Sequence, residues 1–599
     1  MPGRKAREAM SSIVIREVDA AARAQLLASG VHPLLARLYA ARGIADAAQL
    51  KAEAARLIPP DRLLNNEKMA ALLADAIAAG KKLLIVADYD ADGATACAVG
   101  LRALRSFGAQ VDYLVPNRFE YGYGLTPEIV RLAATQKKPD ILITVDNGIA
   151  SVEGVAEAAR LGMDVLVTDH HLPGDVLPAA RCIINPNQPG CSFPSKHLAG
   201  VGVMFYLMLA LRAEFRRRGV YSEGKTEPNL SALLDLVALG TVADVVRLDD
   251  NNRILVHLGL QRMRAGRAHA GIAALFNAAG RDIRRAAAYD LGFVAGPRLN
   301  AAGRLDDMSL GIECLTTDDP IRAADIARQL DQLNRQRRNI ESGMQDSALG
   351  AMEEIEPGFS LSLFDAQWHQ GVIGILASRL RERFHRPTIA FAPAGNGEIK
   401  GSGRSIPALH LRDALDLVSK RQPGLILRFG GHAAAAGLSL READFTAFSD
   451  AFENACRELL TPQDLQREWL SDGELETGEL QLASAQCIAE EVWGQGFPEP
   501  RFHGEFTIAS QRVVGERHLK LRLRREASPP GGRCEASPLG GRCEASPLGG
   551  SQRGQQLDAM LFGHAEPLPD KVIAGYRLSV NHYNGAVTLQ LILDHWQPA

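Results

Sequence analysis

The stretch Leu83-Leu84-Ile85-Val86-Ala87-Asp88-Tyr89-Asp90-Ala91-Asp92-Gly93 decides the fold. Its first half is an apolar run that predicts a buried β-strand. Its second half places three carboxylates directly behind that strand, where they repel one another unless a cation lies among them. A hard divalent ion with oxygen ligands resolves this repulsion. The stretch therefore predicts a strand that ends in a metal site.

The same pattern occurs twice more along the chain. The apolar run 141–145 leads into Asp146-Asn147-Gly148, and the run 165–168 leads into Asp169-His170-His171. In open parallel α/β sheets, ligands bind outside the carboxyl ends of the strands. Three strands that end in such residues therefore predict one site at one edge of a parallel sheet, and an α/β fold class.

The segments between these motifs are long enough for helical crossovers. In the second crossover, Val152, Val155, Ala156 and Ala159 stand at helical spacing and predict its buried face. Gly162 follows, at a position where a helix is expected to end.

Each motif also has a simpler interpretation. A calcium-binding EF-hand loop would need Glu six residues after Gly93, but that position is Val99 and a strand precedes the motif. Asp146-Asn147-Gly148 alone is more typical of a turn. Alternate residues of an extended chain point to opposite sides, so one of the two histidines would suffice for a metal. The recurrence at equivalent strand ends is what favours a site.

These residues resemble the DHH phosphoesterase family, which takes its name from the Asp-His-His sequence at 169–171. Further matches follow in order: residues 239–244 resemble the fourth motif of the family, residues 296–304 resemble its RecJ branch, and residues 368–374 with 430–432 resemble the DHHA1 domain. The resemblance covers about residues 60 to 457. It implies a single-strand-specific 5′-to-3′ DNA exonuclease that releases 5′-mononucleotides and acts in DNA repair and recombination.

The resemblance also implies ligands and a cofactor. Asp92, Asp146, His170 and Asp244 would hold one ion, and Asp90 with Asp146 would hold a second. The mixed carboxylate and imidazole set suits Mn²⁺, with Mg²⁺ as the alternative. In the catalytic group, His171 would contact the scissile phosphate, while Asp169 and Asp88 would orient ligands. Pyrophosphatase-like relatives carry His where this chain has Val86, which argues against a pyrophosphatase.

Arginine is expected to bind the phosphates, because its planar fork matches phosphate oxygens. By resemblance, Arg118, Ser402 and Arg404 would bind the 5′-terminal phosphate. The other predicted substrate-binding residues are Arg298, Asn300, Arg304 and His432. Tyr121, Tyr123 and Trp368 are candidates for base stacking, although packing in the core is the safer interpretation of Trp368. A cleft too narrow for a duplex would select single strands.

The whole chain sets further bounds. Its 599 residues predict several domains, and its net charge of −3 restricts nucleic-acid binding to local basic patches. The eight cysteines form no C-x-x-C pair, which indicates neither a zinc site nor a disulfide framework. The charged N-terminus has no apolar signal core, and the apolar run 198–211 is too short to cross a bilayer. We expect a cytoplasmic protein with no membrane contact.

The sequence pattern, together with the family resemblance, predicts the order of the domains. They are an N-terminal helical segment at 1–60, a DHH metal domain at 61–317, a connecting helix at 318–356, a smaller α/β DHHA1 domain at 357–457, and an OB-like β domain at 465–599 with a low-complexity insertion at 525–551. In the last domain, Leu519, Leu521 and Leu523 alternate with basic residues, which predicts a strand with one apolar and one basic face.

Other functions remain open at this point. A phosphodiesterase or phosphatase for short oligonucleotides or phosphoadenosine phosphate would share the first two domains but lack the β domain. A binding scaffold with a decayed site is disfavoured, since all the carboxylates are present. Single-stranded DNA is the expected partner, and a single-strand-binding protein or a helicase is plausible by resemblance.

Overall fold

The computed structural model describes residues 11–116, 121, 124–222, 226–352, 357–476, 478–515, 517–525 and 555–599. Arg118, Tyr123 and nearly all of the predicted insertion lie outside these residues. The described chain forms two compact units. The first comprises the described residues of 52–467 together with 492–497, and the second comprises 12–51, 468–491 and the described residues of 498–599.

The strands, in chain order, are β1 Ser11–Ile15, β2 Lys82–Ala87, β3 Gln110–Leu114, β4 Ile141–Val145, β5 Asp164–Thr168, β6 Cys182–Ile184, β7 Leu361–Phe364, β8 Thr388–Gly395, β9 Glu398–Arg404, β10 Arg428–Gly431, β11 Ala435–Arg441, β12 Arg467–Ser471, β13 Phe502–Val514, β14 His518–Arg524, β15 Gln556–Leu561, β16 Lys571–Tyr583 and β17 Ala586–Pro598.

The α-helices are α1 Ala20–Ala28, α2 Pro33–Ala40, α3 Asn66–Ala78, α4 Ala91–Ser106, α5 Pro127–Gln136, α6 Val152–Arg160, α7 Gly200–Arg217, α8 Leu234–Ala243, α9 Asp250–Arg264, α10 Ala270–Ala278, α11 Ala288–Asp290, α12 Gly296–Leu305, α13 Ser309–Thr316, α14 Pro320–Ala351, α15 Ile373–Phe384, α16 Leu411–Arg421, α17 Phe445–Leu459 and α18 Leu482–Glu490. A π-helical turn, Leu291–Ala295, joins α11 to α12.

A parallel sheet forms the centre of the first unit. Its strand order is β3-β2-β4-β5-β6, and every neighbouring pair is parallel. The apolar side chains of β2 and β4 are buried, as their continuous hydrophobic runs predict. Because the strands run in the same direction, the residues that follow β2, β4 and β5 lie at one edge. The predicted parallel sheet is thus confirmed.

The predicted buried face of α6 is mostly wrong. Val155 is buried, but Val152, Ala156 and Ala159 are exposed, and the buried positions are Gly154, Val155 and Ala158. The reason is a close approach at Gly154, where a Cβ would lie 1.8 Å from the carbonyl oxygen of Leu125. This contact sets the rotation of the helix, and no periodicity count reveals it.

The apolar run 198–211 forms most of the buried helix α7. In the described part of the chain, every helix is too short or too polar to span a bilayer. The helix α14 then runs for 32 residues, which corresponds to about 48 Å at ~1.5 Å per residue. The expected long helix after residue 318 is therefore present.

The second sheet of the first unit has the order β10-β11-β9-β8-β7. Strands β7 and β8 are parallel, and the remaining pairs are antiparallel. Helices α16 and α17 pack on this sheet around a core that includes Phe391, Phe448 and Phe452. This smaller α/β domain carries the predicted residues Ser402, Arg404 and His432.

The second unit is built on a closed barrel with the order β13-β14-β15-β17-β16. In β14, Leu519, Leu521 and Leu523 are buried while the intervening basic residues face outward, as predicted. Arg524 and Gln556 are register partners, so the predicted insertion joins two neighbouring antiparallel strands. The N-terminal segment differs from its purely helical prediction, because it contributes the strand β1, which pairs with β12.

Candidate metal centre

The carboxyl ends of β2 and β4 bring Asp88, Asp90 and Asp146 together. Each of these residues offers a carboxylate oxygen, and the three oxygens lie within 4.8 Å of one another. Asp90 is also the N-cap of α4, where its Oδ1 accepts hydrogen bonds from the backbone of Asp92 and Gly93 at 2.9 and 3.0 Å. Capping by one oxygen fixes the orientation of the carboxylate and leaves the other for a ligand.

Asp92 lies in the first turn of α4 and is fully buried. Its two oxygens accept hydrogen bonds from the backbone of Gly200 at 2.6 Å and of Val201 at 2.9 Å. These donors are the free N–H groups at the N-terminus of α7, where the helix dipole also favours negative charge. Burial and the neighbouring Asp90 nevertheless raise the pKa of Asp92 to about 7.

Asp146 follows β4 directly and lies in the middle of the cluster. Its φ of +63° is in the left-handed region, a strained conformation that turns the side chain off the end of the strand. At Gly200, a Cβ would lie 2.7 Å from Asp146 Cβ and 2.8 Å from its Oδ1, so glycine at that position makes room for the carboxylate. Burial, followed by the charges of the surrounding aspartates, raises the pKa of Asp146 well above its usual range.

His170 turns its Nε2 toward three carboxylates. The nearest oxygens belong to Asp146 at 3.0 Å, Asp244 at 3.5 Å and Asp92 at 3.8 Å. Burial and the charge of His171 lower the pKa of His170 to about 4, so the ring is neutral near pH 7. A neutral imidazole nitrogen beside converging carboxylate oxygens is the donor arrangement of a divalent metal site.

His171 has a different environment. Its Nδ1 lies 2.8 Å from Asp169 Oδ1, and Asp169 also accepts hydrogen bonds from the backbone of Ile149, His170 and His171. Although burial disfavours the charged ring, the hydrogen bond and charge of Asp169 raise the pKa of His171 to about 9. His171 is therefore a cation that Asp169 holds in position. Its side chain is 35% exposed, which is consistent with a contact to phosphate.

The residues fit a divalent metal. Among the described residues, Asp92, His170 and Asp244 form one group of possible ligands within 4.8 Å, and Asp88, Asp90 and Asp146 form another. His170 Nε2 is buried and makes no hydrogen bond within the described chain. Burial and like charge also raise the pKa of Asp244 well above its usual range. Cations would relieve this repulsion. Asp88, predicted only to orient ligands, is close enough to act as one.

Three residues of α12 that were predicted to bind substrate have different partners. Asn300 Oδ1 accepts a hydrogen bond from the backbone of Ala91 at 2.8 Å, so it holds the loop of the first motif. Arg304 donates to the carbonyl oxygen of Gly371 in the smaller α/β domain at 3.1 Å. The assignment of Arg298 to phosphate is not supported, because its guanidinium is buried and bonds Asp331 and the Val294 carbonyl, both at 2.7 Å.

Ser402 and Arg404 lie at the end of the strand β9, not in a turn, and together form a small basic site. Arg404 donates to Ser402 Oγ at 3.2 Å and to the Gly403 carbonyl at 2.8 Å, which are both neutral acceptors. A Cβ at Gly374 would lie 2.9 Å from Ser402 Oγ and 3.1 Å from Arg404 Nη2, so the N-terminus of α15 faces this pair. No described side chain caps that terminus. A cation, a hydroxyl and a helix N-terminus are suited to a phosphate.

The other predicted substrate residues differ in their surroundings. His432 is exposed in the smaller domain, and its pKa is lowered first by partial burial and then by the charge of His171, which places it near the metal centre. Trp368 is buried in an apolar core with Val372 and Ile373, and Tyr121 packs against the core of the parallel sheet. Trp368 is therefore not a stacking surface, whereas Tyr121 is only partly buried.

Sequence reasoning missed the residues that hold the ligands. The pair Gly200 and Val201 anchors Asp92, and Asn187 donates to the carbonyl oxygen of His170 at 2.6 Å. The glycines inside the apolar run at 200 and 202 were a usable signal, since glycine in a helical pattern often marks a close approach.

A parallel sheet that ends in a carboxylate and imidazole cluster, followed by a smaller α/β domain and a barrel, defines a metal-dependent phosphoesterase. The chain matches the DHH family, N-terminal domain at residues 82–241, the DHHA1 domain at 357–458 and the RecJ OB domain at 471–533. It is 49% identical over 597 residues to the single-stranded-DNA-specific exonuclease RecJ of Escherichia coli (strain K12), covering 97% of this chain and 98% of that protein. The chain belongs to the RecJ family of exonucleases.

Solved structures agree with this family assignment. The crystal structure of RecJ in complex with Mn²⁺ from Thermus thermophilus has a TM-score of 0.77 at 29% identity, and covers 98% of this chain and 79% of that one. The Mg²⁺ complex of RecJ from the same organism has a TM-score of 0.72 at 28% identity, with 98% and 78% covered. Together with the ligand groups of this chain, they confirm the predicted Mn²⁺ or Mg²⁺ cofactor.

Proposed function

We propose that the chain digests single-stranded DNA from its 5′ end and releases 5′-mononucleotides, in the service of DNA repair and recombination. The observation that carries this proposal is the pairing of a carboxylate and imidazole centre with the separate basic site of Ser402 and Arg404. A nuclease that removes nucleotides from one end of a strand needs one site for cleavage and another that binds the terminal phosphate.

Divalent ions, held by Asp90, Asp92, Asp146, His170 and Asp244, would supply activated water and neutralise charge on the phosphate. The remaining chemistry belongs to side chains. His171, kept protonated by Asp169, donates a hydrogen bond to a non-bridging oxygen of the scissile phosphate. Asn300 keeps the first motif in place by holding the backbone of Ala91.

The 5′-to-3′ direction of digestion would follow from the second site, which contains Ser402 and Arg404. Arg404 and Ser402, together with the N-terminus of α15, bind the 5′-terminal phosphate and set the distance to the cleaved bond. Arg118, which lies outside the described residues, is proposed as a further contact. A hydroxyl at the 5′ end leaves Arg404 without its charge partner and weakens binding.

The predicted boundaries define three proposed functional domains. Residues 61–317 cleave the strand, residues 357–457 recognise its end, and the basic outer face of β14 within 465–599 retains it. A single-strand-binding protein or a helicase is the proposed protein partner, and the cytoplasm is the proposed location, where chromosomal DNA would be the substrate.

The test is digestion of a 3′-labelled oligonucleotide with Mn²⁺, in single-stranded and duplex forms, and with either 5′-phosphate or 5′-hydroxyl. We expect stepwise shortening of the single strand from its 5′ end, with the duplex spared. Cleavage of dinucleotides alone would instead assign the chain to the small-substrate phosphodiesterases.

A further inference from the structure

Two aromatic rings on the segment that precedes α12 are exposed to solvent. Tyr289 is 52% exposed and Phe293 is 70% exposed, and their rings stack with centroids 4.8 Å apart and planes 20° apart. By contrast, the rings of the stacked pair Phe448 and Phe452 are fully buried in a core. Single exposed apolar residues are ordinary, but an ordered aromatic pair with most of its surface in water indicates a binding surface.

The backbone fixes where this pair lies. Phe293 belongs to the π-helical turn Leu291–Ala295, a kind of distortion that often occurs at functional sites. Glycines occupy the opposite side of the same segment. A Cβ at Gly292 would lie 3.3 Å from Val242 Cγ1, and one at Gly296 would lie 3.0 Å from Ala243 Cβ. The aromatic pair is therefore mounted on the segment that packs against the residues just before Asp244.

Asp244 is one of the proposed ligands of the metal. The aromatic pair therefore lies on a segment that packs against the two residues just before a ligand. The residue after Asp244 adds to the apolar surface, because Val245 is 62% exposed with a φ of +62°. On the other side, α12 carries Asn300, which holds the loop of the first motif. A strand positioned for cleavage would pass close to these rings.

Three arginines lie close in sequence to the aromatic pair. Arg281, Arg284 and Arg285 have exposed side chains. Within the described chain they pair with two carboxylates, Asp282 at 3.0 to 3.8 Å and Asp290 at 3.9 Å, so one positive charge is in excess. Aromatic rings interleaved with arginines form the surface that binds unpaired nucleotides, since bases stack on the rings and arginines follow the backbone.

We propose that Tyr289 and Phe293 form a stacking platform for an unpaired nucleobase of the strand that is cut at the metal centre, an inference that rests on the proposed function. A base lies on the outer face of Phe293, while Tyr289 supports the ring from behind. A paired base cannot present its face in this way, so the platform also contributes to the selection of single strands.

The first test measures binding without turnover. In an Asp146→Asn background with Mg²⁺, oligonucleotides carry 2-aminopurine at one position at a time, counted from the 5′-phosphate. We expect one position whose fluorescence is quenched. Phe293→Ala with Tyr289→Ala abolishes that quenching and weakens binding about tenfold, the change that ~1.4 kcal/mol of lost stacking produces. Phe293→Trp retains the quenching, and the exposed control Ile321→Ala leaves it unchanged.

The second test uses turnover in the wild-type background. The double alanine variant raises KM about tenfold with little change in kcat, because stacking binds substrate and transition state alike. A variant that digests DNA with wild-type KM and keeps the quenching overturns the inference and assigns the surface to a protein partner. If the wild-type chain does not digest single strands at all, the proposed function itself fails, so the two failures are distinguishable.

Discussion

The metal centre and the Ser402–Arg404 site on β9 have opposite net charges. At the metal centre, the carboxylates converge on one another, and burial and like charge raise the pKa values of Asp92, Asp146 and Asp244. At the Ser402–Arg404 site, the unbalanced charge is positive. Burial, followed by the neighbouring Arg381, lowers the pKa of Arg404, and its hydrogen bonds go to neutral oxygens. Each region is stabilised by what it would bind: cations in the first case and a phosphate in the second.

Because their charges differ, the two sites should respond differently to mutation. A ligand site built from repelling charges is expected to become more stable, but inactive, when one charge is removed. A site that binds one end of the substrate is expected to lose discrimination and to keep its chemistry. The following variants test this contrast.

Asp146→Ala should have the largest effect, because Asp146 belongs to one ligand group with Asp88 and Asp90 and lies 3.0 Å from His170 Nε2 of the other. We expect a loss of activity of at least about 10³-fold, since several kcal/mol of transition-state stabilisation depend on the bound ions. In EDTA, the same variant should melt at a higher temperature than the wild type, because one repelling carboxylate is gone. Asp346→Ala, an exposed carboxylate on α14, is the control for both measurements. Retained activity in Asp146→Ala would contradict the ligand assignment.

Gly200→Ala should rank second. The added Cβ would lie 2.7 Å from Asp146 Cβ, so the carboxylate must shift. A displacement of about 1 Å can cost about 10²-fold in rate, and we expect a loss of that order in kcat at saturating Mn²⁺. Gly343→Ala is the matched control, since no described atom lies within 4 Å of a Cβ there. Equal activity of the two variants would mean that the position of Asp146 tolerates movement.

These two variants also mark what the sequence could predict. Asp244 follows α8 and was predicted only from the resemblance to the family. The other ligands were predictable because they belong to motifs that follow apolar strands, and parallel strands align their ends. The groups that hold the ligands were not, because they come from distant parts of the chain: Gly200 donates to a carboxylate 108 positions away. The error at Arg298 has the same origin. A motif suggested phosphate, but folding placed the buried partner Asp331 beside it.

Arg404→Ala tests the other side of the comparison. Hydrogen bonds to charged groups contribute about 1.5–3 kcal/mol, so we expect the KM for a 5′-phosphorylated strand to rise about tenfold. The 5′-hydroxyl strand should be unaffected, and Arg404→Lys should be intermediate because it lacks the planar fork. Arg421→Ala, which removes a surface pair with Glu458, is the control. An equal loss on both substrates would place Arg404 in general strand binding.

The smallest expected effect is the dependence of metal-free stability on pH. The pKa of Asp92 is raised to about 7 in the folded chain, whereas an unfolded Asp titrates near 3.9. Folding therefore takes up a proton between these values. The resulting stabilisation is fully present below the unfolded pKa and is lost as the pH rises through about 7.

We accordingly expect the wild type in EDTA to lose about a few degrees of melting temperature relative to Asp92→Asn between about pH 5 and pH 8. Saturating Mn²⁺ should reverse this loss and release protons, because the ion replaces them on the same oxygens. Calorimetric titration with Mn²⁺ in two buffers of different ionisation enthalpy measures that release. Binding without proton release would mean that the carboxylates are already ionised, and that the backbone donors at Gly200 and Val201 outweigh the repulsion from Asp90 and the cost of burial.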